Sequence, residues 1–222
     1  DQAYKFLKGV RGSPMYWQLG LYESLSYLRQ KDVPTIFMTL SAADLRWPEV
    51  IQAIAQQHGQ KLTVEYVLNL SFEEKSNWLR KNPVTAIRYF QYRLETFLKE
   101  YIRSQLGPLG EVVEIIVRIE FQLRGSPHAH IVIWIKDAPK LSTDDVAIVQ
   151  KFIDELISCS LPSDHEDSEL REKVKTLQTH SHSAACQRNG KCRFNFPRPP
   201  SVETIIATEP KGENASERKA DR

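Results

Sequence analysis

Residues 118–135 read RIEFQLRGSPHAHIVIWI, and no other run constrains the fold of this chain as much. Val112 to Gln122 is rich in Val and Ile, Leu123-Arg124-Gly125-Ser126 is a turn-like break, and Pro127 to Ile135 is again β-branched and aromatic. The pattern predicts a β-hairpin. Side chains alternate across a strand, so His128 and His130 share one face while Ala129 turns to the other. At a rise of roughly 3.3 Å per residue their Cβ atoms stand about 6–7 Å apart, within reach of one metal ion. On the first strand Ile115, Val117, Ile119 and Phe121 share one parity, and Glu114, Arg118, Glu120 and Gln122 the other. Glu120 and Gln122 can therefore lean across the hairpin toward the histidines. Two imidazoles with a carboxylate or amide oxygen make a three-ligand site with open positions, which suits a catalytic divalent ion. The plainer alternative is a pair of satisfied histidines in a half-buried strand. The acid and amide on the same face argue for metal.

Around the hairpin the pattern is helical. Pro14 to Gln30 carries Trp17, Leu21, Leu25 and Leu28 as an approximate stripe. Val33 to Leu40 reads as a strand, and Pro34 suits its start or a sheet edge. Trp47 to Gln57 predicts a helix with Pro48 in its first turn. Ser71-Phe72-Glu73-Glu74 is a capping box for a short helix ending near Asn82. Pro83 opens a longer one to about Gln105, with Ile87, Phe90, Leu94, Phe97 and Ile102 as its apolar face. A further helix is expected over Thr143 to Ile157, with Cys159 as a core residue beside it. An acidic loop follows over Ser163 to Glu169, and then a short helix before His180. From Gly212 onward the chain is polar without apolar periodicity, as in a tail or linker. Long helices between strands, with a central antiparallel hairpin, predict an α+β fold with helices on one face of an antiparallel sheet.

Composition narrows the function classes. A chain of 222 residues with 41% hydrophobic and 26% charged residues can bury a core. No run reaches the roughly 18 apolar residues of a membrane span, and the opening residues lack a signal-peptide layout. Thirty basic against 28 acidic residues leave +2, so a nucleic-acid surface must come from local clustering. Such a cluster exists in Arg118, Arg124, Lys136, Arg188, Lys191, Arg193 and Arg198, interleaved with Trp134, Phe194 and Phe196. Cations for phosphates beside aromatic faces for bases are the ingredients of single-strand binding. Polar contacts from Thr39, Ser41, Asp44 and Arg46 are expected beside the histidines. Three cysteines cannot close a disulfide framework, and metal binding in a reducing compartment is the better reading. His180, His182, Cys186 and Cys192 supply four ligands within 13 residues, which fits tetrahedral structural zinc.

Three blocks carry a family resemblance. The string from Glu120 to His130 resembles the HUH endonucleases, which cut and rejoin single-stranded DNA, and more specifically the replication-initiator domain of Helitron transposases. Pro34 to Trp47 resembles the first motif of those proteins, and Lys191-Cys192-Arg193-Phe194-Asn195-Phe196-Pro197 their cysteine segment. The resemblance spans roughly residues 10 to 205. It implies a ferredoxin- or RRM-like HUH fold, with His128, His130 and Glu120, supplemented by Gln122, holding Mg²⁺ or Mn²⁺, and a structural Zn²⁺ beyond. Single-stranded DNA is the implied partner, contacted by Thr39, Ser41, Arg46, Arg124, Lys191, Arg193 and Phe194. It also implies a helicase domain in the same full-length protein, a nuclear location and no membrane. The expected divisions are a helical segment over 1–32, the HUH nuclease core over 33–160, a zinc-binding segment over 161–205 and a polar tail or linker over 206–222.

The resemblance also implies a paired-tyrosine nucleophile downstream of the histidine strand. Here all eight tyrosines precede it. Tyr89 and Tyr92 form Y-x-x-Y, but on an amphipathic helix, where aromatics are usually packing residues. The chain is therefore expected to be a fragment, or a remnant without its tyrosine segment. A zinc-stabilised module that grips single-stranded DNA without cutting it stays open, as does a metal-dependent hydrolase of a small substrate. The histidine-triad nucleotide hydrolases drop out, because position 132 is Val rather than a third His.

Overall fold

The computed structural model describes residues 6–121, 125–184 and 186–206. Gln122 and Arg124, at the tip of the expected hairpin, lie outside the described residues, as does the polar stretch from Gly212. Contacts divide the chain into two compact units, Asp1–Ala138 and Pro139–Arg222. Residues 139–160, grouped with the core in the sequence divisions, fall in the second unit.

In the first unit, helix α1 spans Pro14–Lys31, and the Ser13 side chain accepts from the Tyr16 N–H at its start. Strand β1 is Ile36–Ser41, and a 3₁₀ turn over Asp44–Arg46 leads into α2, Pro48–Gln57. Two short helices follow, α3 at Val64–Asn69 and α4 at Phe72–Lys81. The capping box of Ser71 and Glu74 forms as the sequence predicts. Helix α5, Pro83–Phe97, runs on as a π turn over Leu98–Ile102. Strands β2, Val112–Phe121, and β3, Pro127–Ile135, complete the hairpin. Helix α3 had no counterpart in the sequence reading.

The sheet order is β1-β3-β2, antiparallel on both sides, so the histidine strand is central. Its near-continuous apolar run is what a strand covered on both faces requires. Ala129, Ile131 and Ile133 are fully buried against Phe90, Leu94 and Ile102 from α5 and its π turn. Shortening one of these leaves a cavity that the surrounding sheet and helix cannot close. Ile131→Ala is expected to cost about 2–5 kcal/mol of stability, read as a lowered denaturant midpoint with unchanged slope. A second core, Val50, Ile51, Ile54, Val67 and Leu79, joins α2, α3 and α4.

Helices are not confined to one face of the sheet, contrary to expectation. Arg118 and Trp134 carry N–H groups on the face opposite α5, and α1 and the residue that follows it supply their acceptors. Arg118 Nη2 donates to the Gly20 carbonyl at 2.8 Å, and Trp134 Nε1 to the Asp32 carbonyl at 2.9 Å. Gly20 permits this approach, because a Cβ there would stand 2.6 Å from the guanidinium. The expected Trp17–Leu28 stripe points outward instead, with Trp17 and Leu21 both more than half exposed. The inward side of α1 runs through Tyr16, Gly20 and Ser24.

In the second unit, Asp145 caps helix α6, Val146–Leu156, by accepting from the Ala147 N–H. Helix α7, Asp164–Lys173, is followed by a π turn over Val174–Gln178. The expected loop over Ser163–Glu169 is therefore corrected to the start of a helix, capped by a Ser163–Glu166 box. Cys159 is exposed, past the end of α6, and not a core residue. Two-residue strands β4, Gln187–Arg188, and β5, Lys191–Cys192, form a small hairpin. No described helix is long and apolar enough to cross a membrane.

Candidate active site and metal centre

Strand register assembles the first site. Ser41 stands opposite His128 and Thr39 opposite His130 across β1, while Glu120 stands opposite His128 and Arg118 opposite His130 across β2. The two imidazoles meet edge to face, with ring centroids 4.6 Å apart. His130 Nε2 lies 3.1 Å from Glu120 Oε2. Two ligands bound at about 2.1 Å on adjacent corners of an octahedron are about 3.0 Å apart, so this pair fits two sites on one hard divalent ion. His128 is engaged from the other side, its Nδ1 2.7 Å from the Ser41 hydroxyl. The three side chains share a face and a neighbourhood, but they do not converge their ligand atoms as tightly as the cluster described next. Gln122, the fourth expected ligand, is outside the described residues.

Phe37 was missed. It shares the parity of Thr39 and Ser41 on β1, is 66% exposed, and lies nearly parallel to His130 with centroids 5.9 Å apart. The alternation Phe37-x-Thr39-x-Ser41 was the available signal.

The second site is tighter. His180, His182, Cys186 and Cys192 bring their ligand atoms within 4.8 Å of one another. Cys192 Sγ lies 3.4 Å from His180 Nε2, and Cys186 Sγ 3.7 Å from His182 Nδ1. With zinc–sulfur and zinc–nitrogen bonds of about 2.3 and 2.0 Å, a tetrahedral N···S edge is about 3.5 Å. The observed edges bracket that value. Partial burial pushes the Cys192 thiol up, but the Phe196 and Phe194 backbone N–H groups, the Cys186 side chain and Arg193 outweigh it, so the thiol sits below its ordinary value. Cys186 Sγ accepts from the Ser183 N–H at 3.1 Å and lies 3.2 Å from the Ser183 carbonyl oxygen. The groups around Cys192 thus favour its thiolate, the form that binds metal. The turn between the cysteines needs Asn189 and Gly190, both at positive φ. This His/Cys group is able to bind a metal such as zinc.

The family profile described as the Helitron helicase-like domain at N-terminus matches residues 2–133, more than half of the chain. The chain belongs to this Helitron-like family. The match covers β1, β2 and β3 as far as Ile133, and so includes His128, His130 and Glu120. It ends before the His/Cys cluster. No curated protein and no solved structure matches the chain.

Within the Helitron-like domain, Thr39 and Ser41 lie on the histidine face, and Arg46 is exposed on the 3₁₀ turn after β1. Arg124 is outside the described residues. Three members of the expected basic and aromatic cluster serve the protein instead: Arg118 holds α1, Lys136 pairs with Glu111 at 2.7 Å, and Trp134 is buried. Beside the His/Cys cluster, Lys191, Arg193 and Phe194 are exposed. Arg193 lies over the Phe194 ring at 4.5 Å, and Phe196 stacks on His180 with centroids 4.5 Å apart. Tyr89 packs with Trp47 under Arg93, on the helix that covers the sheet face opposite the histidines. Tyr92 is exposed on the same helix.

Proposed function

We propose that this chain is the metal-binding, strand-gripping part of a Helitron-like HUH endonuclease that nicks and transfers single-stranded DNA during rolling-circle transposition. The observation that carries the proposal is the shared sheet face of His128, His130 and Glu120, inside the family match. On this reading the sheet and α5 are the centre of an HUH fold of ferredoxin or RRM type, and 33–160 is the nuclease core. Residues 161–205 are a zinc-stabilised accessory segment and 206–222 a linker toward a helicase in the same protein. The protein acts in the nucleus.

The donor set fits Mg²⁺ or Mn²⁺: one carboxylate and two imidazoles, with Gln122 as a further oxygen, leave open positions for phosphate oxygens. When bound, the ion supplies Lewis-acid polarisation of the scissile phosphate. Glu120, His130 and His128 would hold the ion. Thr39 and the Phe37 ring border these side chains along β1, where a sugar–phosphate backbone and an unpaired base would lie. A tyrosine hydroxyl attacks the phosphorus, a bond to the 5′ phosphate forms, the bond to the 3′ oxygen breaks, and that oxygen leaves as a hydroxyl. Tyr89 and Tyr92 project from the helix on the far side of the sheet, so neither is placed to be the nucleophile.

A second reading is a zinc-stabilised module that binds single strands without cutting. It is favoured by the position of Tyr89 and Tyr92. The two readings separate in one assay with labelled DNA and Mn²⁺. Both expect tighter binding to single-stranded than to duplex DNA at equal ionic strength, falling as salt rises, because unpaired bases can stack and phosphates release counterions. Phe194→Ala is expected to weaken single-strand binding by about 1–3 kcal/mol, read by fluorescence anisotropy. The endonuclease reading further expects no covalent adduct from this chain alone, and cleavage when a tyrosine-bearing segment of a Helitron transposase is supplied in trans. An adduct that vanishes in Tyr89→Phe or Tyr92→Phe contradicts it, and duplex preference contradicts both.

A further inference from the structure

Ser41 lies 2.7 Å from Nδ1 of His128, and the two are direct partners in the β1–β3 ladder. Their contact is therefore set by strand register inside a sheet, not by a loop. A neutral imidazole carries one N–H and one lone pair, and the bond made at one nitrogen decides which is which. If the Ser41 hydroxyl accepts from Nδ1–H, the Nε2 lone pair is left free for a ligand. If the hydroxyl donates to Nδ1, the proton sits on Nε2 and His128 cannot bind a metal through that nitrogen.

We propose that Ser41 is a positioning residue that accepts from Nδ1–H of His128, fixing the ring's orientation and the tautomer whose Nε2 can hold a divalent cation. The inference rests on the metal reading of the hairpin and deepens it. It also moves Ser41 from the DNA-contact role expected from sequence to a supporting one beneath the ligands. Two features support this direction. A serine hydroxyl accepts as readily as it donates, and because Ser41 is exposed its own proton can go to water. His128 lies directly opposite Glu120 in the ladder, yet the carboxylate turns to His130. That leaves Ser41 as the group that orients the first imidazole. Hydrogen-bond partners of metal-bound histidines commonly act in this way, by holding the ring and raising the basicity of the ligating nitrogen.

The test uses the full chain in three forms: wild type, Ser41→Ala and Ser41→Thr. Mn²⁺ affinity is measured by electron paramagnetic resonance, and the His128 tautomer by ¹⁵N correlation spectra of the imidazole in metal-free protein. Wild type is expected to show a protonated Nδ1. Ser41→Ala should bind Mn²⁺ about 10–100-fold more weakly, the usual cost of losing such a partner. Ser41→Thr, which keeps the hydroxyl on a side chain suited to a strand, should restore both readouts. Mn²⁺ affinity undiminished in Ser41→Ala, or a wild-type His128 protonated at Nε2, overturns the inference. Wild type that binds no Mn²⁺ at all overturns the metal reading of the hairpin, and the tautomer spectrum then still decides the role of Ser41. A covalent DNA adduct abolished by Ser41→Ala would make the hydroxyl a nucleophile and overturn the positioning role.

Discussion

Stripping zinc with a chelator, or replacing Cys192 with Ser, is expected to unfold the segment around residues 180–196 while leaving the sheet of the first unit intact. The reason is the scarcity of core in the second unit. Among its described residues the buried apolar side chains are Val149 and Cys186, and Cys186 is itself a ligand candidate. A segment with a two-residue hairpin and so little apolar burial cannot offset the entropy of ordering its backbone. A bound metal would supply the missing term: structural zinc is worth about 10–16 kcal/mol of apparent binding free energy in small zinc peptides, and that energy is folding energy. Purified protein should therefore carry about one zinc per chain. Hydrogen exchange around Cys186 and Cys192 should rise to unprotected rates after chelation, with the amides of β3 unchanged. Acidification should release the ion as well, because histidine and cysteine ligands shed protons to bind. Metal-free protein with undiminished protection at Cys186 and Cys192 would show that the cluster is an accident of the loop.

Strand parity was the part of this molecule most legible in the sequence. The period of two placed His128, His130 and Glu120 on one face, and Ala129, Ile131 and Ile133 on the other, because alternation depends on backbone geometry alone. Capping signals were equally readable: Ser71-x-x-Glu74 was recognised. Ser163-x-x-Glu166 is the same motif, overlooked because the acidic run around it resembled a loop. The His/Cys cluster was visible because its four ligands are close in sequence, so local chain geometry can gather them. What the sequence withheld depends on distant partners. Arg118 reads as a surface cation until Gly20 brings a carbonyl to it, and Trp134 reads as a stacking surface until the Asp32 carbonyl accepts its N–H. The Trp17–Leu28 stripe has the helical period, but periodicity cannot say which side of a helix meets the sheet. Ser41 was read as a DNA contact because its partnership with His128 spans 87 positions and depends on the register of β1 against β3.

Replacing both hairpin histidines has the largest expected effect on function. His128→Ala with His130→Ala removes both proposed imidazole ligands from a partly exposed site that has no other imidazole on the sheet among the described residues, and leaves the ion to Glu120 and Gln122. A carboxylate and an amide oxygen in water bind divalent ions too weakly to register at micromolar protein. Both positions are only half-buried and face away from the Ile131 core, so the fold should survive the change. The decisive measurement is Mn²⁺ titration of the wild-type and double-variant chains by electron paramagnetic resonance, with zinc content matched and folding checked by circular dichroism. Wild type is expected to show a Mn²⁺ site that disappears in the variant while the spectrum of the fold is retained. Equal Mn²⁺ affinity in the two proteins would show that the hairpin histidines hold no ion.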